Sequence, residues 1–155
     1  MRRILVIGFG HPYREDDSFG LRAAEEFAAV NHNPAVKVMA TQELQPELIE
    51  LISHYDIVIF LDASAQGAPG SIEVSEIGPE PSASAVFSHS LTIAGLLASA
   101  RRLYGRCPKT KLITVSGESF GFSSRLTPTV EAALPEVLST LRSIAASACD
   151  PASSD

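Results

Sequence analysis

Short, unbroken apolar runs set between longer amphipathic stretches constrain this chain more than any other feature. Ile57-Val58-Ile59-Phe60-Leu61 offers solvent no polar side chain. A strand there is buried on both faces, as in parallel sheets covered by helices on each side. Ile4-Leu5-Val6-Ile7 and Leu112-Ile113-Thr114-Val115 have the same character, and Val36 to Met39 is a shorter strand. Asp56 to Leu61 is the strongest of these and is expected at the centre of the sheet. Ile72, Val74 and Ile77 alternate with polar residues, the pattern of an edge or antiparallel strand.

Helical spacing fills the intervals. Phe19, Ala23, Phe27 and Val30 mark one helix, with Asp17 or Ser18 as its expected N-cap. Pro46 suits the first turn of a second, carrying Leu48, Ile49 and Ile52. A third is expected from Ser90 to Tyr104, stopped by Gly105. Thr127-Pro128 opens the last, with Val130, Leu134, Val137, Leu141 and Ile144 on one face. Gly78 to Ala85 reads as a mobile surface loop, and the tail from Ala148 as frayed. Alternating strands and helices imply an α/β fold, a three-layer α/β/α sandwich around a mainly parallel sheet. The expected organisation is one domain over residues 1–147 and a flexible tail over 148–155.

At 155 residues the chain buries about 68–70% of its unfolded surface on folding, enough to dispense with metal or disulfide staples. A metal here is therefore functional before it is structural. Eighteen acidic residues against twelve basic ones give a net charge of −6. With no basic stripe, a phosphate backbone is repelled, and nucleic acid is not an expected partner. Cys107 and Cys149 are the only cysteines and form no Cys-x-x-Cys motif, which fits two free thiols in a reducing cytosol. The basic pair Arg2-Arg3 before an apolar run imitates a leader, but the run ends after about seven residues and acids follow. No stretch approaches the ~18 apolar residues of a membrane span. The expectation is a cytoplasmic monomer that engages no membrane.

Three metal-capable side chains stand where apolar runs give way to loops or helices: Asp17, Asp62 and His89. If the strands are parallel neighbours, all three project from one rim of the sheet, where open α/β folds bind ligands. Each has a blander explanation: a helix cap for Asp17, a turn-former for Asp62, an ordinary surface imidazole for His89. The crowding of Glu15, Asp16 and Asp17 in one loop favours a cation site, because a helix N-terminus otherwise disfavours positive charge. Nickel, zinc and related ions all accept imidazole with carboxylate. His11, in the glycine loop, is placed to support a ligand, whereas His32 and His54 fall in surface positions.

Two familiar motifs fail. Gly8-Phe9-Gly10 invites a dinucleotide reading, but the third glycine is replaced by Tyr13 and no ribose-binding acid follows the second strand. Gly117-Glu118-Ser119-Phe120-Gly121 matches a nucleophile elbow, yet no histidine follows Ser119 and the next helix begins only near Thr127.

Gly8-Phe9-Gly10, Asp16-Asp17-Ser18-Phe19-Gly20, Leu61-Asp62-Ala63, Ser88-His89-Ser90-Leu91 and Leu126-Thr127-Pro128-Thr129-Val130-Glu131 occur in an order that resembles the [NiFe]-hydrogenase maturation endopeptidases. The similarity runs from Ile4 to about Arg142. It implies a phosphorylase/hydrolase-like α/β/α sandwich with a mixed five-stranded sheet. It also implies a nickel-dependent endopeptidase that removes the C-terminal extension of a hydrogenase large-subunit precursor after nickel insertion. The family's metal trio falls on Asp17, Asp62 and His89, the residues already singled out by position. Nickel would come with the precursor, other divalent metals could occupy the site, and Asp16 or Glu15 could assist as a base. His11 stands where the family usually has Asn, Ser18 where Gly is common, and Ala40-Thr41-Gln42-Glu43-Leu44 where some members have Asp-Gly. That last segment is expected to bear on which precursor is accepted. The competing readings are a non-catalytic module that senses the precursor's metal, and a serine hydrolase using Ser119.

Overall fold

A computed structural model describes residues 2–80 and 91–149. Strand β1 (Ile4–Phe9) leads through a 3-10 turn (Glu15–Ser18) into α1 (Phe19–Val30). Then come β2 (Val36–Thr41), α2 (Glu47–Ser53), β3 (Ile57–Ser64), β4 (Ile72–Ile77), α3 (Ile93–Tyr104), β5 (Lys109–Ser116), α4 (Pro128–Glu131) and α5 (Leu134–Cys149). The strands form one sheet in the order β2-β1-β3-β5-β4. All neighbours are parallel except β4, which runs antiparallel to β5 along the edge. The central place of β3 and the edge place of β4 follow from their composition, one apolar throughout and the other alternating.

Successive residues of a strand face opposite sides of a sheet, so each apolar run feeds two cores. Ile4, Val6, Ile57, Ile59 and Leu61 pack with Phe19 and Phe27 of α1 and with Val137 and Leu141 of α5. Leu5, Ile7, Val58 and Phe60 pack with Leu48 and Ile52 of α2 and with Leu96 and Leu97 of α3. Each such side chain stabilises the fold by about 1.5–3 kcal/mol relative to exposure. No helix among the described residues is long and apolar enough to cross a membrane.

Several boundaries differ from the sequence expectation: β1 and β2 run on to Phe9 and Thr41, and β5 starts earlier, at Lys109. β3 continues past Leu61 because Asp62, Ala63 and Ser64 pair with Thr114, Val115 and Ser116 of β5. Asp62 therefore lies within the strand rather than after it. α3 begins at Ile93 rather than Ser90, because the Thr92 hydroxyl accepts the Gly95 N–H at 3.0 Å and caps the helix. The last helix is two helices: Pro135 has no N–H to continue the ladder and its ring opposes the carbonyl of residue 131. Helix α5 also runs through Ala148 to Cys149, where a frayed tail was expected. Neither Asp17 nor Ser18 caps α1 through its side chain. The remainder of the expected tail, and the expected mobile loop from residue 81 onward, lie outside the described residues.

Helix α1 meets the sheet at glycine. A Cβ on Gly20 would overlap the carbonyl oxygens of Leu61 and Phe9, and one on Gly8 would overlap the Gly20 carbonyl. Gly20→Ala is expected to destabilise the protein by about 1–3 kcal/mol, since these groups are fixed by the strand ladder. A urea melt measures it.

At the opposite end of the sheet Asp56 accepts the Arg3 N–H at 2.8 Å and the Arg106 guanidinium at 2.9 Å. The Arg3 amide, against some burial and with help from the charge of Arg106, holds its carboxyl below the ordinary range. A depressed carboxyl stabilises the fold above its unfolded pKa, about 3.9, and that contribution is lost as pH falls through the folded value. The Tm gap between wild type and Asp56→Asn should therefore narrow below about pH 4.

Candidate active site

The parallel strands present their C-terminal ends along one rim, and the β1–α1 loop, the end of β3 and the β5–α4 loop meet there. The 3-10 turn sets three consecutive acids in different directions, because side chains on such a turn step by about a third of a revolution. Glu15 and Asp16 face the β5–α4 loop, while Asp17 faces the rim.

Asp17 is half-buried, and its Oδ2 accepts the backbone N–H of His11 at 2.9 Å. The chain can approach so closely only because residue 10 is glycine: its φ is 153° and a Cβ would overlap the Asp17 carbonyl. Asp62, also half-buried, alternates with Leu61 and so shares the sheet face of Val58 and Phe60, under α2 and α3. Its Oδ1 accepts the N–H of Ala63 at 2.8 Å. Burial pushes the Asp62 carboxyl up to about 7, against that hydrogen bond and reinforced by the negative charge of Asp17. Asp62 thus feels the charge of Asp17, distant in sequence, across the rim. Among the described residues no ion pair reaches either of them.

His89 lies outside the described residues. The described chain resumes at Leu91, which packs with Ile93 on the same core face as Phe60. Among the described residues no group of three or more His, Cys, Asp or Glu side chains closes on a common point. Two members of the expected trio are brought to one rim.

Asp16 is fully buried. Its Oδ2 accepts the N–H groups of Glu118 and Ser119 at 2.8 and 3.1 Å, and its Oδ1 accepts the N–H of Thr127 at 2.8 Å. The Thr127 hydroxyl donates to both oxygens. Burial alone would raise its pKa, but the amides of Thr127, Glu118 and Ser119 together with that hydroxyl carry the net shift below the ordinary value. Glu15, in left-handed backbone at φ 47°, accepts the Ser119 hydroxyl at 2.8 Å and the Gly121 N–H at 2.9 Å. These two acids, expected to crowd a cation or serve as a base, are spent holding the β5–α4 loop. The glycine-serine motif at 117–121 is the other half of this clamp. Gly117 leaves room for the Phe120 ring, and the Ser119 hydroxyl is donated to a carboxylate, with no imidazole in contact among the described residues. Sequence reasoning flagged the motif but had no signal for its partner, which lies a hundred residues away in the chain.

No family model matches the chain. The hydrogenase 2 maturation protease of Escherichia coli K12 is 34% identical over 150 residues, spanning 90% of this chain and 91% of that protein. The chain belongs to the hydrogenase maturation proteases. Among solved structures, the hydrogenase maturating endopeptidase HybD of E. coli superposes with a TM-score of 0.71 at 30% identity, over 92% of this chain and 93% of that one. The [NiFe]-hydrogenase maturation protease HycI of Thermococcus kodakarensis superposes with a TM-score of 0.75 over 92% of each chain; at 22% identity it supports the fold alone. Membership makes the chain a peptidase, which removes the non-catalytic module as a reading; the Ser119 reading is disfavoured by geometry, since that hydroxyl is donated to Glu15. Membership also fits the mixed five-stranded sheet with helices on both sides.

Asp16→Ala would leave the amides of Glu118, Ser119 and Thr127 without their acceptor. These amides are only part-buried, so water can replace some of what is lost, and a destabilisation of about 1–3 kcal/mol is expected from denaturant melts.

Proposed function

We propose that this protease removes the C-terminal extension of a [NiFe]-hydrogenase large-subunit precursor once nickel has been inserted, and that Asp17, Asp62 and His89 engage that nickel. The supporting observation is the placement of Asp17 and Asp62 on one rim, both half-buried, where the charge of Asp17 adds to the burial that raises Asp62. Such a pair suits a divalent ion, which accepts carboxylate oxygens as ligands and favours the ionised form of Asp62. An imidazole from His89 makes the donor set one that nickel accepts, and zinc or other divalent ions fit the same donors.

In this reading the nickel arrives as part of the substrate. A cation held there serves as a template for the scissile bond, a Lewis acid on its carbonyl, or an activator of water. The chain's own contribution is orientation. His11 N–H fixes one oxygen of Asp17 and Ala63 N–H fixes one oxygen of Asp62. No described hydrogen bond occupies the other oxygen of either residue. Asp62 rides on the central strand, so its position depends on the core rather than on a loop. Asp16 acts as a positioning residue, through the loop it clamps. The free, exposed thiol of Cys107 suits a reducing compartment, and we assign the reaction to the cytoplasm.

Incubation with nickel-loaded precursor should shorten it by its C-terminal segment in intact-mass spectra, and nickel-free precursor should stay whole. Asp17→Asn, Asp62→Asn and His89→Ala should each slow cleavage by at least about 100-fold, since even groups that merely support metal ligands cost 10–100-fold when removed. Wild-type cleavage by His89→Ala would end the trio assignment.

A further inference from the structure

We propose that Tyr13 and Phe122 form a rigid apolar platform beside the metal-binding rim, on which an apolar segment of the precursor docks. This rests on the reading of the precursor as substrate. Phe122 is 89% exposed and Tyr13 64% exposed. Of the other large apolar side chains left open among the described residues, Leu103 and Tyr104 end α3 and Val30 ends α1, at the far end of the sheet, while Val74 lies along the β4 edge. Tyr13 and Phe122 are the two at the rim.

Both are held in place. Ser123 N–H donates to the Tyr13 carbonyl at 3.1 Å, and Glu15 N–H donates to the Ser123 carbonyl at 3.0 Å. Gly121 N–H is bound by Glu15, and the Arg14 guanidinium donates to the Phe120 carbonyl at 3.2 Å while lying 5.5 Å from the centre of the Phe122 ring. The ring is thus displayed on a loop that is already ordered, so covering it costs little further conformational entropy. Two exposed aromatic rings, one with an arginine against it, have the composition of an interface anchor.

Continuity with the site identifies the occupant. The His11 ring meets the Tyr13 ring edge-on at 6.2 Å, and the same His11 donates its N–H to Asp17. A substrate that brings its metal to Asp17 comes up against the segment that displays Tyr13, and a protein substrate has the breadth to reach Phe122 on the adjoining loop.

The test is cleavage of nickel-loaded precursor by the double variant Tyr13→Ala/Phe122→Ala, with Leu103→Ala as a control at the distant end. The expected result is a KM raised at least about tenfold with kcat within about twofold. Thermal melts should match wild type, Phe122→Tyr should restore most of the affinity when Tyr13 is intact, and Leu103→Ala should leave KM unchanged. An unchanged KM in the double variant, while wild type still cleaves, overturns the docking surface alone. A loss confined to kcat overturns it too, because the rings would then belong to the chemistry. Self-association of wild type that the double variant abolishes assigns the platform to a second copy instead. Failure of wild type to cut the precursor removes the substrate reading, and the platform's assignment with it.

Discussion

The first turn of α1 rests directly on the carbonyl oxygens of Phe9 and Leu61, with glycine at position 20 as the condition for the contact. The position of Asp17 derives from it. Helix and strands are brought to backbone contact, so the residues just before the helix hang over the ends of β1 and β3 instead of standing off by a side chain's width. Gly8 and Gly10 repeat the arrangement on the strand side, against the Gly20 and Asp17 carbonyls. Glycine at these three positions lets helix, loop and strands meet backbone to backbone, and Asp17 is carried to the rim with them. The coupling of the two acids is a result of backbone packing before it is a matter of side-chain choice.

Adjacent residues of one acidic run have opposite fates for a geometric reason. A 3-10 turn sends Glu15, Asp16 and Asp17 outward in different directions, so one cluster in sequence becomes two separate structures. Asp16 and Glu15 gather the amides of a loop that carries no secondary structure of its own, and Asp17 remains available. A buried carboxylate that accepts several N–H groups is stabilised as an anion and fixes whatever donates to it. The β5–α4 loop is therefore ordered by charge from the β1–α1 loop as well as by Leu126, which anchors its end in the core.

Much of this was legible in the amino-acid order. Runs such as Ile57 to Leu61 carry their own burial requirement, so strand identity, sheet type and the central place of β3 could be read directly, as could the alternating edge strand Ile72–Ile77. Asp17 and Asp62 could be chosen because the ends of parallel strands share a rim. What escaped was decided by contacts between distant segments. The extension of β3 through Asp62 depends on pairing with β5, and the function of Asp16 depends on amides more than a hundred residues away. The cap on Thr92 and the interruption at Pro135 were local signals, overridden in the sequence reading by a continuous apolar periodicity that runs across both.

That interruption separates two demands that a single helix could not satisfy together. The start of α4 is drawn to Asp16 through Thr127, while α5 must lay Val137 and Leu141 against the sheet. With a joint between them, the short segment brings the amide of its cap residue, Thr127, to the carboxylate while the long one lays its ridge along the sheet. The joint does not isolate them, because Leu126 and Val130 lie in the same hydrophobic cluster as Val137 and Leu141; a change of volume along α5 is therefore felt at the loop that Asp16 holds.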